Sequence, residues 1–226
     1  MSPAPTYESL AGILNQTLLD PALSNAQVVE ALEAAKRDRV GMVTVRACDI
    51  DLAVRMLAGS QTRAGAIAGY PYGFQNTSVK LYEARDLLRR GARKIGAVIG
   101  ASKLLSREFQ HLQTELNQLS ESCRAEGATL TVCWQSALLT HELKVIACTC
   151  CERAEVGLVG MDALSDLELL RKHLPDETGI EASGASGLDE ALHLRELGVA
   201  RIATTASAAI LNDWKARIAP PASPAT

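Results

Sequence analysis

Residues 178–210 read TGIEASGASGLDEALHLRELGVARIATTASAAI, and this stretch decides the fold. Two short apolar segments, 178–182 and 200–204, each run into small residues and then into a helical pattern, as in a strand–helix–strand–helix unit. The small residues let backbone N–H groups approach an anion, and a helix beginning near Ala206 adds the positive end of its dipole. Paired loops of this kind at one end of a parallel barrel commonly hold a sugar phosphate. We therefore predict a phosphate-binding site at Ser183, Gly184, Thr205, Ala206 and Ser207.

The same alternation of strand and helix extends over the rest of the chain. Predicted strands lie at 12–19, 40–46, 64–69, 94–99, 128–135, 156–160, 178–182 and 201–205. Predicted helices lie at 25–37, 49–57, 77–90, 107–126, 141–153, 164–173, 188–197 and 206–214. Ser24 is placed to cap the first of these helices. Eight strand–helix units predict an α/β fold, a TIM (β/α)8 barrel in one domain.

Domain boundaries and composition agree with a single barrel. The barrel is predicted to span 10–217, and the Pro/Ala/Ser-rich ends 1–9 and 218–226 are predicted to be disordered tails. Hydrophobic residues make up 47% of the 226-residue chain and aromatic residues only 4%, which predicts a core of Ala, Val, Leu and Ile. The net charge of −3 and the lack of a long apolar run or leader pattern predict a cytoplasmic protein with no nucleic-acid or membrane partner.

Six cysteines need an explanation. Cys148, Cys150 and Cys151 form a Cys-Thr-Cys-Cys run in a predicted helix, and the other three are scattered. Helix residues two apart point in different directions, and no second Cys pair or histidine pair lies near. We interpret these cysteines as buried, reduced thiols, with a redox-sensing pair as the alternative, and we expect neither a metal nor a cofactor.

Several blocks, taken in order, resemble the deoxyribose-phosphate aldolase family. Residues 15–19, NQTLL, are similar to the family's opening Asp-His-Thr-Leu-Leu, and GYPYG at 69–73 is similar to its Gly-Phe-Pro turn. EASGA at 181–185 and ATTAS at 203–207 are similar to its Lys-Ala-Ser-Gly-Gly and Gly-Thr-Ser-Ser-Gly runs. The resemblance covers about residues 12–212. It implies a barrel that cleaves or forms a carbon–carbon bond in a phosphorylated sugar through a lysine imine, and it implies a homodimer.

The residues that the family uses for this chemistry are replaced here. The resemblance aligns its imine-forming lysine with Gly160, its second lysine with Glu181 and its aspartate with Gly96. Glycine cannot form an imine, and a carboxylate favours the charged form of a nearby amine, whereas imine formation needs the neutral form. The aldolase reaction of the family is therefore predicted to be lost.

No other lysine is predicted to supply the amine from the barrel centre. Four are predicted on outer helices, Lys80 lies in the helix after the third strand, and Lys94 is predicted to enter the fourth strand at its bottom end. Lys103, just past that strand, is the one candidate replacement, and its alternative is a solvated loop lysine. The four outer-helix lysines are Lys36, Lys144, Lys172 and Lys215.

Polar residues at the predicted strand ends form a candidate pocket, which consists of Asn15, Gln16, Arg46, Gln135, Asp162 and Glu181. Arg46 would pair with Glu181 or Asp162, or would receive an anionic ligand. The two carboxylates would alternatively support metal-assisted or acid/base chemistry.

Two hypotheses follow from these residues. The first is an inactive aldolase homologue, a pseudoenzyme that acts as a binding, regulatory or assembly protein with itself or another protein. The second is an aldolase-like lyase with residual or changed activity on a phosphorylated sugar or a small aldehyde.

Overall fold

The structure, a computed structural model, describes residues 5–218. Eight parallel strands form a closed barrel in sequence order, and the first pairs with the last. The strands are β1 (Leu14–Leu18), β2 (Met42–Val45), β3 (Arg63–Ala68), β4 (Lys94–Val98), β5 (Thr129–Cys133), β6 (Leu158–Met161), β7 (Gly179–Ser183) and β8 (Arg201–Thr204). The predicted (β/α)8 barrel is thereby confirmed. Of the predicted tails, residues 1–4 and 219–226 lie outside the described residues.

Ten α-helices surround the barrel within residues 5–218. They are α1 (Tyr7–Ile13), α2 (Asn25–Arg37), α3 (Ile50–Leu57), α4 (Thr77–Arg89), α5 (Ala101–Leu105), α6 (Phe109–Ala125), α7 (His141–Arg153), α8 (Leu167–His173), α9 (Leu188–Glu196) and α10 (Ser207–Ile218). Eight correspond to predicted helices. The two short ones, α1 and α5, were not predicted from the sequence.

Helix α1 corrects the predicted tail at 1–9, because it begins at Tyr7. The hydroxyl of Thr6 caps it by accepting a hydrogen bond from Ser9 N at 3.1 Å. Leu10 and Ala11 are fully buried, and Ala11 O accepts a hydrogen bond from Gly41 N at 2.9 Å, just before β2. A seven-residue helix is too short to show a clear apolar period, so tertiary packing rather than pattern explains it.

Helix ends follow local side-chain chemistry. The predicted cap at Ser24 is confirmed, because its hydroxyl accepts from Gln27 N while Gln27 Oε1 accepts from Ser24 N at 2.9 Å. Asn76 and Thr140 cap α4 and α7 by accepting from Val79 N and Leu143 N. These caps fix where the helices start, and so they fix the loops at the carboxyl ends of the strands.

The shell between strands and helices is apolar, whereas the inside of the barrel is partly polar. Leu, Val, Ile and Ala dominate the shell, as composition predicts. Inside the barrel, Asn15, Lys94, Thr131 and Glu181 are all buried, at 1%, 3%, 0% and 5% exposure. Within residues 5–218 no helix has both the length and the hydropathy needed to cross a bilayer.

Candidate active site

An ion pair lies inside the barrel. Lys94 Nζ donates hydrogen bonds to Glu181 Oε1 at 2.5 Å and Oε2 at 2.6 Å. The side chains are 3% and 7% exposed, so both charges are held away from bulk water. The sequence-based expectation that no lysine amine reaches the barrel centre is therefore wrong, because Lys94 reaches it from β4.

Glycine explains how Lys94 reaches this place. Gly65 on β3 lies beside Lys94 in the sheet, and a Cβ at Gly65 would come within 3.0 Å of Lys94 Cβ. With no side chain there, the four-carbon stem of Lys94 fits inside the barrel and carries its ammonium to β7. Lys94 thus begins at the start of β4, as predicted, but it points into the barrel rather than out of its bottom end.

Further polar groups complete the surroundings of Glu181. Asn15 Nδ2 lies 3.4 Å from both carboxylate oxygens, and Asn15 Oδ1 accepts from Thr44 Oγ1 at 2.8 Å. Arg201 Nε lies 3.9 Å from Glu181 Oε2, and burial lowers the pKa of Arg201 while the charge of Glu181 opposes that effect. Within the described residues, Arg201 Nε and the hydroxyl of Thr131 are buried without a hydrogen-bond partner. Glu181 is therefore the centre of a buried polar network.

A cavity of about 200 Å³ opens above this network at the carboxyl ends of the strands. We call it the central cavity. Lys94, Glu181 and Asn15 lie in its wall together with Tyr70, Gln135 and Ser183. An amine and a carboxylate in contact at the wall of a small cavity can exchange a proton and act on a carbonyl compound.

Two glycines stand where the resemblance places catalytic side chains, and neighbouring side chains fill the space. A Cβ at Gly160 would lie 2.7 Å from Cys133 Sγ, and a Cβ at Gly96 would lie 2.9 Å from Ile67 Cγ1. Cys133 also lines the central cavity. Burial, reinforced by the charge of Glu181, raises the pKa of the Cys133 thiol to about 12, so this thiol is neutral at physiological pH.

Only half of the candidate pocket residues lie at the central cavity. Asn15, Gln135 and Glu181 do, as predicted. Gln16 instead ties β1 to the loop after β8: its Oε1 accepts from Ser207 N at 3.2 Å and from Ser207 Oγ, and its Nε2 donates to Thr205 O at 3.1 Å.

Arg46 and Asp162 make their contacts outside the central cavity. Arg46 Nε donates to Asp49 Oδ2 at 2.6 Å, and its Nη1 donates to the carbonyl of Leu23 at 3.0 Å. The predicted pairing of Arg46 with Glu181 or Asp162 is therefore wrong, because an acid three residues away is a nearer partner. Asp162 Oδ2 accepts from Ser136 N at 3.3 Å and orders the turn after β5.

The predicted phosphate loop forms a second cavity of about 470 Å³, which we call the upper groove. Ser183, Gly184 and Thr205 line it, and Ser183 also lines the central cavity. Ser207 does not, because it is 2% exposed and bound to Gln16. Ala206 N donates to Thr204 Oγ1 at 2.9 Å.

Lys103, the candidate replacement amine, lies outside the barrel. It is in α5, its side chain is 42% exposed, and its Nζ donates to Glu108 Oε2 at 2.8 Å. The solvated interpretation of this lysine fits the structure. Its position on an outer helix leaves Lys94 as the lysine that lines the central cavity.

The cysteine run is buried on α7. Cys148 and Cys151 are fully buried, Cys150 is 5% exposed, and all three are free thiols. Burial raises the pKa of Cys148 to about 12. Across residues 5–218, no three His, Cys, Asp or Glu side chains come together in a way that would hold a metal ion.

Sequence reasoning missed four residues of the site: Lys94, Thr44, Cys133 and Arg201. Each lies in a predicted strand, but none was placed in the candidate pocket; Cys133 was interpreted only as a buried thiol. A usable signal was present for Lys94, because a lysine begins an otherwise apolar strand, KIGAVIG at 94–100, that contains two glycines.

Comparisons with known proteins and solved structures find aldolases among the similar chains. No protein-family model matches the chain. The deoxyribose-phosphate aldolase of Streptococcus sanguinis is 30% identical over 212 residues, which cover 90% of this chain and 96% of that protein. The aldolase QR15 matches with a TM-score of 0.85 at 22% identity, covering 92% of this chain and 96% of its own. A deoxyribose phosphate aldolase from Aeropyrum pernix, described as tetrameric, matches with a TM-score of 0.80 at 20% identity, covering 94% of each chain.

Proposed function

Because the chain belongs to the deoxyribose-phosphate aldolase family, we propose that it is a carbon–carbon lyase in which Lys94 supplies the imine-forming amine and Glu181 accepts its proton. The observation that carries this proposal is the contact between Lys94 Nζ and Glu181 at 2.5 Å in the wall of the central cavity. The substrate is a small carbonyl compound, because the cavity measures only about 200 Å³.

The chemistry needs two groups that this pair provides. Lys94 passes a proton to Glu181, and the neutral amine adds to the carbonyl carbon. Protonated Glu181 gives its proton to the former carbonyl oxygen, and loss of water leaves an iminium ion. The carboxylate of Glu181 then takes the proton of the substrate's β-hydroxyl group, a second carbonyl forms at that carbon, and the electron pair of the broken Cα–Cβ bond forms an enamine with the iminium carbon. Burial strengthens this arrangement, since proton transfer over a fixed short distance needs no solvent reorganisation.

Asn15 and Thr44 support the proposed base. Asn15 points its amide donor at Glu181 and is itself held by Thr44 Oγ1 at 2.8 Å. These contacts fix the carboxylate in one position when Lys94 leaves it to bond the substrate.

Imine trapping tests the proposal. The protein is incubated with acetaldehyde and reduced with sodium borohydride, and the adduct is located by peptide mass mapping. We expect an adduct on Lys94. Lys94→Arg keeps a positive charge beside Glu181 but removes the nucleophile, so its site-specific adduct is lost. Lys103→Arg, which changes an exposed lysine on the next helix, retains it.

The inactive homologue is the second candidate, and one observation favours it. The amine of Lys94 is engaged by both oxygens of Glu181, and Gly160 and Gly96 offer no side chain to replace that partner. Under this hypothesis the ion pair fills the barrel centre without taking part in catalysis, and the protein acts by binding a partner. Absence of an adduct at Lys94, together with no cleavage of deoxyribose 5-phosphate, would support the inactive homologue and contradict the lyase.

A further inference from the structure

The wall of the central cavity has a polar arc and an apolar arc. Among the described residues, its carboxylate, amide and aliphatic hydroxyl side chains lie on β7, β1 and β2, with Gln135 after β5 as the exception. The polar arc consists of Glu181, Ser183, Asn15, Thr17 and Thr44. The apolar arc runs from β3 to β5 and contributes Ile67, Tyr70, Pro71, Val98 and Trp134. The cavity therefore offers two chemically different walls to a substrate.

Lys94 joins the two arcs. It starts on β4, within the apolar arc, and its Nζ lies 2.5 Å from Glu181 Oε1 in the polar arc. A carbonyl compound bonded to this amine is thus held beside the proposed base, and the four-carbon stem of Lys94 leads from it to the apolar arc.

The other side chains of the polar arc are committed elsewhere. Asn15 contacts Glu181, and its Oδ1 accepts from Thr44 Oγ1 at 2.8 Å. Thr17 and Ser183 also line the upper groove, so they lie where the two cavities meet. The part of a substrate next to the reacting carbon is therefore left to the apolar arc.

Three side chains of the apolar arc show what that part can be. Ile67 occupies the space beside Gly96, since a Cβ at Gly96 would lie 2.9 Å from Ile67 Cγ1. Val98 and Trp134 are 6% and 4% exposed, so both are held by surrounding protein. Isoleucine and valine side chains have no polar atom, and tryptophan has a single N–H donor. A substrate hydroxyl group would lose its hydrogen bonds to water here, whereas an alkyl group would gain from leaving water.

The volume of the cavity limits the length of such an alkyl group. At roughly 30 Å³ for each atom of the size of a water molecule, a cavity of about 200 Å³ holds about six or seven non-hydrogen atoms. The reacting carbonyl group and the carbon next to it fill part of this space. About four further carbons fit in the remainder.

We propose that the carbonyl compound which bonds to Lys94 carries an alkyl group of about one to four carbons that packs against Ile67, Val98 and Trp134. In the cleavage reaction this group is attached to the enamine carbon, so the fragment released from Lys94 is an aliphatic aldehyde between propanal and hexanal in length. The inference rests on the proposed function, because it needs the imine at Lys94, but selection for an alkyl group is testable without that reaction.

Trapping with a matched pair of aldehydes tests the proposal. Propanal and glycolaldehyde are equal in size and differ by a methyl group against a hydroxyl group. Each is incubated with the full chain and reduced with sodium borohydride, and the Lys94 adduct is divided by the Lys103 adduct of the same digest. Lys103 is 42% exposed outside the barrel, so this ratio corrects for the intrinsic reactivity of each aldehyde. We expect a ratio at least ~10-fold higher for propanal, because its methyl group needs no hydrogen-bond partner.

Chain length gives a second comparison. From acetaldehyde to butanal, the corrected Lys94 adduct should rise ~4-fold for each added methylene, because each buries more apolar surface. It should fall again at octanal, which is too long for the cavity. Equal ratios for propanal and glycolaldehyde, or no rise with chain length, would overturn the inference.

A variant of the apolar arc tests which wall is responsible. Val98→Thr replaces a methyl group by a hydroxyl group and should reduce the preference for propanal by at least ~3-fold, because glycolaldehyde gains a hydrogen-bond partner. Val79→Thr, the same change at a 49% exposed position on α4, should keep the parent's preference. If Val98→Thr does not fold, Val98→Ala serves instead and should shift the best chain length upward. A Val98 variant that keeps the parent's preference and best chain length would contradict the proposal.

Binding of alcohols separates this inference from the lyase proposal. Butan-1-ol and propane-1,3-diol match in size and form no imine, and their binding is followed by the fluorescence of Trp134, with Trp214 on α10 as a constant background. We expect a saturable change with butan-1-ol and none with the diol. If butan-1-ol binds in this way but no aldehyde labels Lys94, the lyase proposal is wrong and selection for an alkyl group is supported. If Lys94 is labelled but the diol binds as well as butan-1-ol, the lyase proposal is supported and selection for an alkyl group is wrong.

Discussion

Lys94 and Glu181 are each acceptable inside the barrel only because the other is present. Removing two charges from water costs several kcal/mol per ion, and their attraction offsets this only with close contacts and further hydrogen bonds. The contacts of 2.5 and 2.6 Å and the amide of Asn15 meet that requirement. The pair is therefore more informative about function than about stability, since an apolar pair would fill the same space at less cost.

Removing one partner should be far more harmful than removing both. Lys94→Met is expected to lower the free energy of unfolding by about 3 kcal/mol, because Glu181 is left buried with only the more distant Arg201, at 3.9 Å, to balance its charge. Lys94→Met/Glu181→Leu should recover most of that loss. Urea denaturation at neutral pH measures both, and equal losses in the single and double variants would contradict the ion pair.

Gly160 is expected to tolerate no side chain while Cys133 is present. Gly160→Ala should cost about 1–3 kcal/mol, because its Cβ would sit 2.7 Å from Cys133 Sγ. In a Cys133→Ala background the cost should fall by at least about 0.5 kcal/mol. The two single variants and the double variant, unfolded in urea, give this coupling, and additivity would show that the two sites do not touch.

The connection between β8 and α10 depends on a residue from the opposite end of the chain. Gln16 on β1 binds Ser207 N, Ser207 Oγ and Thr205 O, so it holds the first turn of α10 against the strand that closes the barrel. Because β1 pairs with β8, this glutamine joins the first and last units of the barrel. Gln16 therefore helps to position the loop that borders the upper groove, although Gln16 itself does not line the groove.

Gln16→Ala should loosen that connection. We expect a loss of about 1–3 kcal/mol, because Ser207 N and its hydroxyl are buried and lose their acceptor. Hydrogen exchange should show faster exchange at the start of α10 than in α4. Gln118→Ala, at an exposed position on α6, is the control and should leave exchange unchanged.

The strands and most helices are readable from the sequence for a simple reason. Each buried strand is a short apolar run between turn residues, and each long helix has a cap such as Ser24 or a clear apolar face. The short helices α1 and α5 have neither the length nor the apolar period of the others, and they depend mainly on packing, with the Thr6 cap added for α1. The type of most elements therefore follows from local sequence, whereas the presence of these two helices does not.

The site was less predictable because side-chain direction depends on neighbours in the sheet. Asn15, Gln135 and Glu181 line the central cavity, and the sequence offers them as polar residues of predicted strands. Lys94 was not predicted there, because its path depends on Gly65, which lies 29 positions earlier in the chain on the adjacent strand. The hydrogen bond from Ser186 N to Glu190 could not be predicted from the sequence either, because the two residues form it only in the folded loop.

At the scale of the whole molecule, the surface carries an exposed aromatic region after β3. Tyr72 and Phe74 stack with ring centroids 5.1 Å apart, and they are 51% and 79% exposed. Tyr82 on α4 is 76% exposed. Large exposed aromatic side chains are typical of protein–protein contacts, so we expect the chain to associate with a second copy through these residues.

Self-association is tested by sedimentation. The parent protein is expected to sediment as an oligomer, and Phe74→Ser/Tyr82→Ser as a monomer. Leu164→Ser, which alters a 50% exposed leucine in a different loop, is the control and should keep the parent's mass. A parent that is monomeric at micromolar concentration would rule this contact out.

Cysteine reactivity reports on the integrity of the whole fold. Cys48 is exposed, whereas burial raises the pKa of Cys123, Cys133 and Cys148 to about 12 each. At pH 8 only about one in 10⁴ of such thiols is ionised, so iodoacetamide should label Cys48 first in the native protein and all six in urea. Labelling of the native thiols should rise with pH. Rapid native labelling of Cys148 would contradict the structure.

The amine at the centre of this barrel starts from β4, whereas the resemblance to the family places its imine-forming lysine at Gly160 on β6. Eight strands converge on one axis, so a long side chain from any of them can deliver the same group to the same point. Ancestry can then conserve a reaction centre while the residue that bears it moves between strands. A search for active members of such a family should compare the side-chain atoms that lie around the barrel axis. A sequence alignment shows only which residue stands at the usual position, and it does not show an amine that arrives from another strand.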